Sequence, residues 1–338
     1  MDLNTAWFLL VAVLLAGYAV LDGFDLGVGV LHLFARSEHE KRLHLNAIGP
    51  VWDGNEVWLL TGGGALFAAF PPVYATVFSA FYLALVLVLL ALIFRAVAFE
   101  FRGKVDSPGW RKAWDWAFGL GSLLPAILLG VAFGNVVRGL PLDGNGFYTG
   151  TFLGLLNPYA IMVGLLSLFL FITHGSLYMA LKTDGELQER MSKSARKTWM
   201  VSVLLFLMVM IATFIKAPFM FDAGFKRLLF WGVLVVLLLA LAYIPVAIAA
   251  ARHLAAFLCS SVLVACMVAM AAVCLYPRLV PSTTDLAFSL DIHNASSTPR
   301  TLLVMFIIAL IGVPIMLVYT AWIYWTFRGK TVITEDSY

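Results

Sequence analysis

The chain has 338 residues, of which 62% are hydrophobic and only 12% charged, and its mean hydropathy is +0.95. Soluble domains carry about 25% charged residues, so a soluble fold, a disordered chain and a secreted disulfide scaffold are excluded. The net charge of +3 is too small for a nucleic-acid-binding surface. The composition therefore predicts an all-α polytopic membrane protein, organised as a single integral-membrane domain over residues 1–338.

Nine apolar runs are long enough to cross a bilayer as helices, which takes about 20 residues each. They are Ala6–Phe34, Asn46–Phe70, Tyr74–Phe101, Trp114–Val137, Thr151–Leu181, Thr198–Ile215, Leu228–Ala250, Leu254–Tyr276 and Thr301–Phe327. The second run is the most polar of them, since it contains Asp53 and Glu56 and opens near Pro50.

The Lys and Arg residues between these runs predict the orientation, because cytoplasmic loops of membrane proteins are enriched in them. One set of alternate loops holds fifteen: Arg36, Lys41, Arg42, Arg102, Lys104, Arg111, Lys112, Lys182, Arg190, Lys193, Arg196, Lys197, Arg252, Arg328 and Lys330. The other set holds six: Arg138, Lys216, Lys226, Arg227, Arg278 and Arg300. Nine spans then predict an outside N-terminus and a cytoplasmic C-terminus.

Four acidic residues lie inside the first two predicted helices, where a carboxylate costs about 2.5–3.5 kcal/mol on insertion scales. Asp22 and Asp25 share a face of the first helix, and Asp53 and Glu56 share a face of the second, because residues at i and i+3 are neighbours. At a rise of 1.5 Å per residue, Asp25, Asp53 and Glu56 lie about 13, 10 and 15 Å from the inner helix ends. Arg95 of the third helix, about 9 Å deep, is the expected counter-ion.

Three interpretations of this acidic layer remain open. Clustered carboxyls in a low dielectric raise one another's pKa values and can hold protons near neutral pH, which favours a proton path. The same groups could instead form an arginine–carboxylate knot that pins helices one to three together, or a docking patch for a partner subunit. Glycines at positions 23, 27 and 29 predict close approach of another helix backbone.

The histidines and cysteines predict neither a bis-histidine haem site nor a structural metal site within this chain. His174 is the only histidine placed well inside a span, and a haem with two histidine ligands needs a pair. We therefore expect His174 to be a hydrogen-bonded packing residue. Cys259, Cys266 and Cys274 form no C-x-x-C pair and are expected to be buried thiols that pack as small hydrophobes.

The acidic motifs resemble those of one family. Asp22-Gly-Phe-Asp-Leu-Gly27 followed by Trp52-Asp-Gly-Asn-Glu-Val-Trp58 closely resembles subunit II of the cytochrome bd-type quinol oxidases. The resemblance continues in order along the whole chain. Further matching segments are Gly63–Pro71, Arg95 with Phe99-Glu100, Trp114–Trp116, Ala132–Asn135, Leu156–Pro158, Tyr276-Pro277, Val280–Ser282, Asn294–Ser297 and Tyr319–Trp325.

The resemblance implies a heterodimer in a bacterial or archaeal cytoplasmic membrane that oxidises quinol and reduces dioxygen to water. Two haems b, one haem d and the quinol-oxidising loop would belong to the partner, subunit I. This chain would carry no catalytic residue of its own and would support assembly. The resemblance also leaves room for a structural quinone or lipid and for small single-span accessory subunits.

The resemblance further implies that acidic residues of the early helices feed cytoplasmic protons toward the haem site. Asp53 is the first choice for that path, Asp25 and Asp22 come second, and Glu56 third. Arg95, Glu100, Trp52 and Asn55 are expected to support these acids, either as ion-pair partners or as parts of the same motifs. The alternative functions are a proton-coupled membrane transporter, which also uses intramembrane carboxyls, and a purely structural membrane subunit.

Overall fold

The computed structural model describes residues 2–225 and 227–333, without the side chains of Asp222 and Ala223. Its α-helices are α1 (Leu3–His32), α2 (Glu38–Ile48), α3 (Trp52–Ala69), α4 (Pro71–Ala80), α5 (Tyr82–Phe101), α6 (Pro108–Arg138), α7 (Pro158–Lys182), α8 (Gly185–Lys216), α9 (Phe219–Gly224), α10 (Leu228–Ala249), α11 (His253–Leu275) and α12 (Pro299–Thr326). Two short strands, β1 (Arg278–Val280) and β2 (Leu290–Asp291), pair antiparallel. The predicted all-α polytopic fold is confirmed.

Eight of the helices within the described residues are long and apolar enough to cross a membrane, namely α1, α5, α6, α7, α8, α10, α11 and α12. The sequence predicted nine spans, and the difference lies in the second run, where α3 carries the polar residues Asp53, Asn55 and Glu56 in its first turns. The contacts of α3 nevertheless place it antiparallel beside α1. The Asn55 amide donates to the Leu21 carbonyl at 3.2 Å, and Gly62 lies against Leu14 further along.

The second predicted run is not one helix, because it is broken between α2 and α3. Pro50 lacks a backbone N–H and cannot continue a helix, so α2 ends at Ile48 and α3 begins at Trp52. Asp53 therefore lies in the first turn of α3. The predicted depth of about 10 Å for Asp53, counted along a helix from residue 46, is wrong for this reason. The third predicted run is likewise divided, into α4 and α5.

Helix α1 lies at the centre of the helix packing and contacts α3, α6, α7 and α11. Its glycines make these contacts close, as predicted. A Cβ atom on Gly27 would collide with the backbone of Phe171 on α7, and one on Gly175 of α7 would collide with the backbone of Gly27. Gly29 lies in the same way against the side chain of Ser122 on α6. The close contacts with α6 and α7 consequently exclude solvent from the polar side chains on α1.

The loops predicted to share the inner side meet at one end of the helices, which we call the basic end. There the Lys182 ammonium donates to the Phe327 carbonyl at 2.5 Å, and Lys330 donates to the Thr183 carbonyl at 2.6 Å. The Arg190 guanidinium binds Glu40 at 2.5 Å and so ties α8 to α2. The placement of this end on the cytoplasmic side remains a prediction from the lysine and arginine count.

The other end is closed by loops that surround the two strands. The Leu140 amide donates to the Pro281 carbonyl at 2.9 Å, and the Thr76 hydroxyl donates to the Gly146 carbonyl at the same distance. The Thr5 hydroxyl lies 3.1 Å from that of Tyr276. The start of α1 is thus at the opposite end from Lys330, so the described part of the chain begins and finishes on different sides.

The cysteine prediction is correct only in part. Cys274 is buried, whereas Cys259 and Cys266 are half-buried, because they lie on the part of α11 that its neighbours cover incompletely. All three thiols are free. They pack among aliphatic and aromatic side chains of α7, α8 and α10.

Candidate functional site

A buried ion cluster joins α1, α3 and α5. The Arg95 guanidinium lies 2.9 Å from a carboxylate oxygen of Asp22 and donates a 2.8 Å hydrogen bond to Glu56. Arg95 and Asp22 are fully buried, while the Glu56 side chain is 23% exposed. The N–H groups of Arg95 do not point at Asp22, so that contact is an ion pair without a hydrogen bond. The predicted counter-ion role of Arg95 agrees with this geometry.

Asp25 lies one turn along α1 from Asp22 and is also fully buried. Its Oδ2 accepts a 2.7 Å hydrogen bond from the Asn55 amide, whose own oxygen accepts from the Tyr324 hydroxyl at 3.0 Å. The other carboxylate oxygen, Oδ1, has no hydrogen-bond partner in the part of the chain that the structure describes. Asn55 therefore links the acid of α1 to α3 and α12 through neutral hydrogen bonds, without a cation.

The remaining motif residues surround the cluster without entering it. Asp53 is exposed on the outer side of α3, and Glu100 is exposed near the end of α5. Trp52 stacks on Phe99, with ring centroids 4.8 Å apart and planes at 4°. Because Phe99 lies two residues before α5 ends, this stack holds the first turn of α3 close to the basic end. The buried layer is thus made by Asp22, Asp25 and Glu56, and Asp53 lies outside it.

His174 is fully buried between α1, α7 and α11. Its Nδ1 lies 2.6 Å from the Ser260 hydroxyl, and its Nε2 lies 3.0 Å from the Val20 carbonyl. The ring also stacks on Phe257, with centroids 4.8 Å apart and planes at 8°. Both ring nitrogens are engaged, as expected for a hydrogen-bonded packing residue, so His174 is a poor candidate for a haem ligand.

A second polar network, which we call the helix-end network, lies at the basic end and was not predicted from the sequence. Asp115 of α6 accepts hydrogen bonds from Arg102 at 2.6 Å and Lys41 at 2.7 Å, and it contacts His32 Nε2 at 2.9 Å. Arg102 also binds Glu38 at 2.8 Å. The available signal was Asp115 in a Trp-Asp-Trp motif at the predicted membrane boundary, with His32 at the end of the first helix.

The α2 part of this network contains two titratable groups with shifted pKa values. Burial, with the nearby His32 as a second cause, lowers the pKa of His44 to about 3. Burial alone would raise the pKa of Glu40, but hydrogen bonds from Arg190 and the Arg36 amide lower it below its usual value. His44 is therefore neutral and Glu40 ionised at neutral pH.

The buried layer has the chemistry of a proton-holding site. It holds three carboxyl groups and one guanidinium: Asp22 and Glu56 pair with Arg95, and Asp25 binds the Asn55 amide. An uncompensated buried charge is costly, and one cation cannot neutralise three carboxylates. Protonation of at least one carboxyl would relieve that excess.

Comparisons with known proteins identify the family. The profile of the cytochrome bd terminal oxidase subunit II family matches residues 3–327. A "Cytochrome bd-I ubiquinol oxidase subunit 2" from Escherichia coli (strain K12) is 38% identical, with 99% of this chain and 96% of the relative aligned. A "Cytochrome bd ubiquinol oxidase subunit 2" from Bacillus subtilis (strain 168) is 41% identical, with 97% of each chain aligned.

A solved structure shows the same fold. A chain from the structure of bd oxidase from Geobacillus thermodenitrificans superposes with a TM-score of 0.80, covering 97% of this chain and 99% of that chain, at 17% identity. At that identity the similarity concerns the fold alone. The family profile and the two relatives cover almost the whole chain, so it belongs to the cytochrome bd terminal oxidase subunit II family.

Proposed function

We propose that this chain is the haem-free subunit II of a quinol:dioxygen oxidoreductase, and that its buried carboxyls take up cytoplasmic protons for the reduction of dioxygen to water. As a member of its family, the chain is a multi-pass membrane subunit of an oxidoreductase complex. Two haems b, the haem d and the site of quinol oxidation are assigned to subunit I. The family does not favour the alternative of a proton-coupled transporter.

The placement of Asp25 carries the proposal. This carboxyl is fully buried, has a neutral amide as its hydrogen-bond donor, and keeps one oxygen without a protein partner. A purely structural knot would consist of paired charges, and Arg95 with Asp22 and Glu56 has that form. Asp25 is instead a carboxyl that can exchange a proton while the ion pairs beside it keep the helices in place.

We assign Asp53 to the surface that meets subunit I. It lies on the exposed side of α3, which also presents Val57, Leu60 and Phe67 at 42%, 74% and 59% exposure. A carboxylate on such an apolar surface is unfavourable against lipid and needs a polar partner. Gly64 further along α3 has open space beside it, which lets a partner helix approach closely. A proton arriving from the partner's side would meet Asp53 first and Glu56 next.

A structural lipid or quinone tail fits one groove. A shallow groove of about 450 Å³ beside α8 and α9 is lined by Met210, Ile211, Phe214, Ile215 and Phe221. All five side chains are apolar, so the groove suits an acyl or isoprenoid chain and offers nothing for a quinone headgroup. Single-span accessory subunits could cover the same outer surface.

The test is Asp25→Asn in the whole oxidase complex. We expect oxygen consumption at saturating quinol to fall by about ten-fold or more, since positioned proton-transfer groups contribute about 10²–10⁴-fold. Haem absorption and the amount of co-purified subunit I should not change. Asp106→Asn, at a 94% exposed carboxylate beyond the end of α5, is the matched control.

Three outcomes oppose the proposal in different ways. Normal turnover of an assembled Asp25→Asn complex would remove the proton-uptake role. Loss of haem or of subunit I from that variant would favour a structural role for the acid. If the unaltered chain purifies without any haem-bearing partner, the oxidase assignment itself fails.

A further inference from the structure

The polar residues of α1 form a continuous buried stripe between the ion cluster and the helix-end network. Tyr18, Asp22, Asp25, Gly29 and His32 follow one another at spacings of three or four residues, which places them on one face of the helix. Tyr18 is 6% exposed, and the other polar members are at most 1% exposed. Asp25 and His32 are seven residues apart, or about 10 Å along the axis.

A hydroxyl fills the middle of that gap. Gly29, between Asp25 and His32 on the stripe, has no side chain, and the Ser122 hydroxyl occupies the place where a Gly29 side chain would begin. Ser122 is fully buried and donates to the Phe118 carbonyl at 2.8 Å, which leaves its oxygen free to accept. A hydroxyl that can accept and pass on a proton thus lies between the acid and the histidine, and ordered water would complete the connection on either side.

The far end of the stripe holds several buried nitrogens without protein partners. His32 binds Asp115 through Nε2, and its Nδ1 has no partner. His44 is fully buried 5.9 Å from His32, measured between ring centroids, and neither of its nitrogens has a hydrogen-bond partner among the described residues. Arg190 Nη1 is also unpartnered and buried. Buried polar atoms of this kind are normally satisfied by ordered water.

We propose that a proton route runs from His44 and His32 through Ser122 to Asp25. This route rests on the proposed function, because it supplies the carboxyl that takes up cytoplasmic protons. Along it a proton passes from solvent to the His44–His32 pair, then to the Ser122 hydroxyl and finally to Asp25. Each carrier releases one proton as it accepts another, so no bond other than O–H and N–H changes.

Charged groups border the histidine pair from three helices. Asp115 of α6, Lys41 of α2 and Arg102 beyond α5 face His32. Glu40 of α2 and Arg190 of α8 face His44. Two cations, Lys41 and Arg102, therefore pair with Asp115 on the His32 side, and one cation, Arg190, pairs with Glu40 on the His44 side. Burial keeps His44 neutral at rest, a state in which imidazole can both accept and donate a proton.

The test compares His44→Leu and Ser122→Ala with Asp25→Asn in the assembled oxidase. His44 makes no protein hydrogen bond, so leucine should not weaken the fold. We expect oxygen consumption to fall about ten-fold in both variants, with an unchanged quinol KM and unchanged haem content. The loss should be greater at pH 8 than at pH 6, because proton supply then limits turnover.

Two further measurements separate proton transfer from packing. In His44→Ala, added imidazole should restore turnover, since a free imidazole can replace the missing side chain in the relay but cannot repair a packing defect. His39→Ala is the matched control, because His39 is an exposed histidine on the same helix. It should keep normal turnover and show no response to imidazole.

The results distinguish this route from the proposed function. If Asp25→Asn is slow while His44→Leu and Ser122→Ala turn over normally, the route is overturned and uptake through Asp25 stands. If His44→Leu is slow but imidazole and pH have no effect on its defect, the route is also overturned. Normal turnover of Asp25→Asn would overturn the proposed function, and with it any route that ends at Asp25.

Discussion

Arg95 and Asp22 lie 2.9 Å apart, on α5 and α1, and neither side chain has any exposed surface. A buried ion pair contributes little net stability when it forms, because desolvation offsets the attraction between the charges. Breaking it by removing one partner is costly, because the other charge stays buried. Because removing one partner costs far more than forming the pair gains, we expect the packing of α1 against α5 to be sensitive to the loss of Arg95.

Arg95→Met should therefore destabilise the subunit by about 3–5 kcal/mol, the usual cost of stranding a buried charge. The shape of the side chain is nearly kept, but Asp22 and Glu56 lose their shared cation. The loss would be measured as a lower Tm and a lower yield of assembled complex. The double variant Arg95→Met with Asp22→Asn should recover part of it, and equal stability of single variant and unaltered protein would contradict the argument.

Gly27→Ala should disrupt the contact between α1 and α7. The added methyl group would meet the backbone of Phe171, which cannot move aside as a flexible side chain could. Overpacking of this kind costs about 1–3 kcal/mol, and we expect a lower Tm in detergent. Gly232→Ala on α10 is the control, because nothing lies within 4 Å of its Cβ position. A Gly27→Ala protein as stable as that control would show that the helices can separate freely.

Eight of the nine predicted membrane spans agree with the structure, because hydropathy identifies them. The sequence also predicts that alternate loops lie at the same end of the helices, because a chain that crosses repeatedly must alternate. The pairing of Arg95 could also be predicted, since a buried cation among acids has few alternatives. The exposure of Asp53 could not. The polar residues Asp53, Asn55 and Glu56 do not all lie on one face of α3, so the sequence does not show which of them is covered, and the break at Pro50 shifts the start of α3 by several residues.

The helix-end network was missed for a different physical reason. Its members come from α1, α2, α6, α8 and the end of α5, and α2 is a short polar helix that resembles an ordinary solvated loop. Only the folded chain shows that His44 and Leu45 on this helix point inward. Tertiary contacts between distant segments decide such burial, and no local periodicity encodes it.

The stability of the subunit should fall as the pH is lowered below the ordinary pKa of histidine, about 6.5. His44 titrates near 3 in the folded chain because it is buried, so the unfolded chain binds more protons between these two values. The free energy of unfolding then decreases with falling pH, by at most about 1.4 kcal/mol per pH unit for this one group. The contribution is fully present above pH 7.

Thermal unfolding of His44→Leu between pH 7.5 and pH 5 measures this effect. The variant should lose less stability over that range than the unaltered subunit. His39→Leu, at an exposed position on the same helix, should follow the unaltered curve. Parallel curves for all three proteins would mean that the pKa of His44 is the same in the folded and the unfolded chain, which contradicts its burial.

Asp115→Asn should lower the free energy of unfolding more than the loss of a single exposed ion pair does. The carboxylate of Asp115 is only 8% exposed and serves Arg102, Lys41 and His32 together. A neutral amide cannot balance the charges of Arg102 and Lys41, so we expect the free energy of unfolding to fall by about 3 kcal/mol or more. Glu189→Gln, which breaks the exposed i,i+4 pair with Lys193, should change stability little.

Because the Asp115 contacts are shielded from solvent, their effect on stability should persist in 0.5 M salt, where screening is strong. A Tm difference between Asp115→Asn and the unaltered protein that disappears at high salt would mean that this network is solvated and that His32 is open to water at rest.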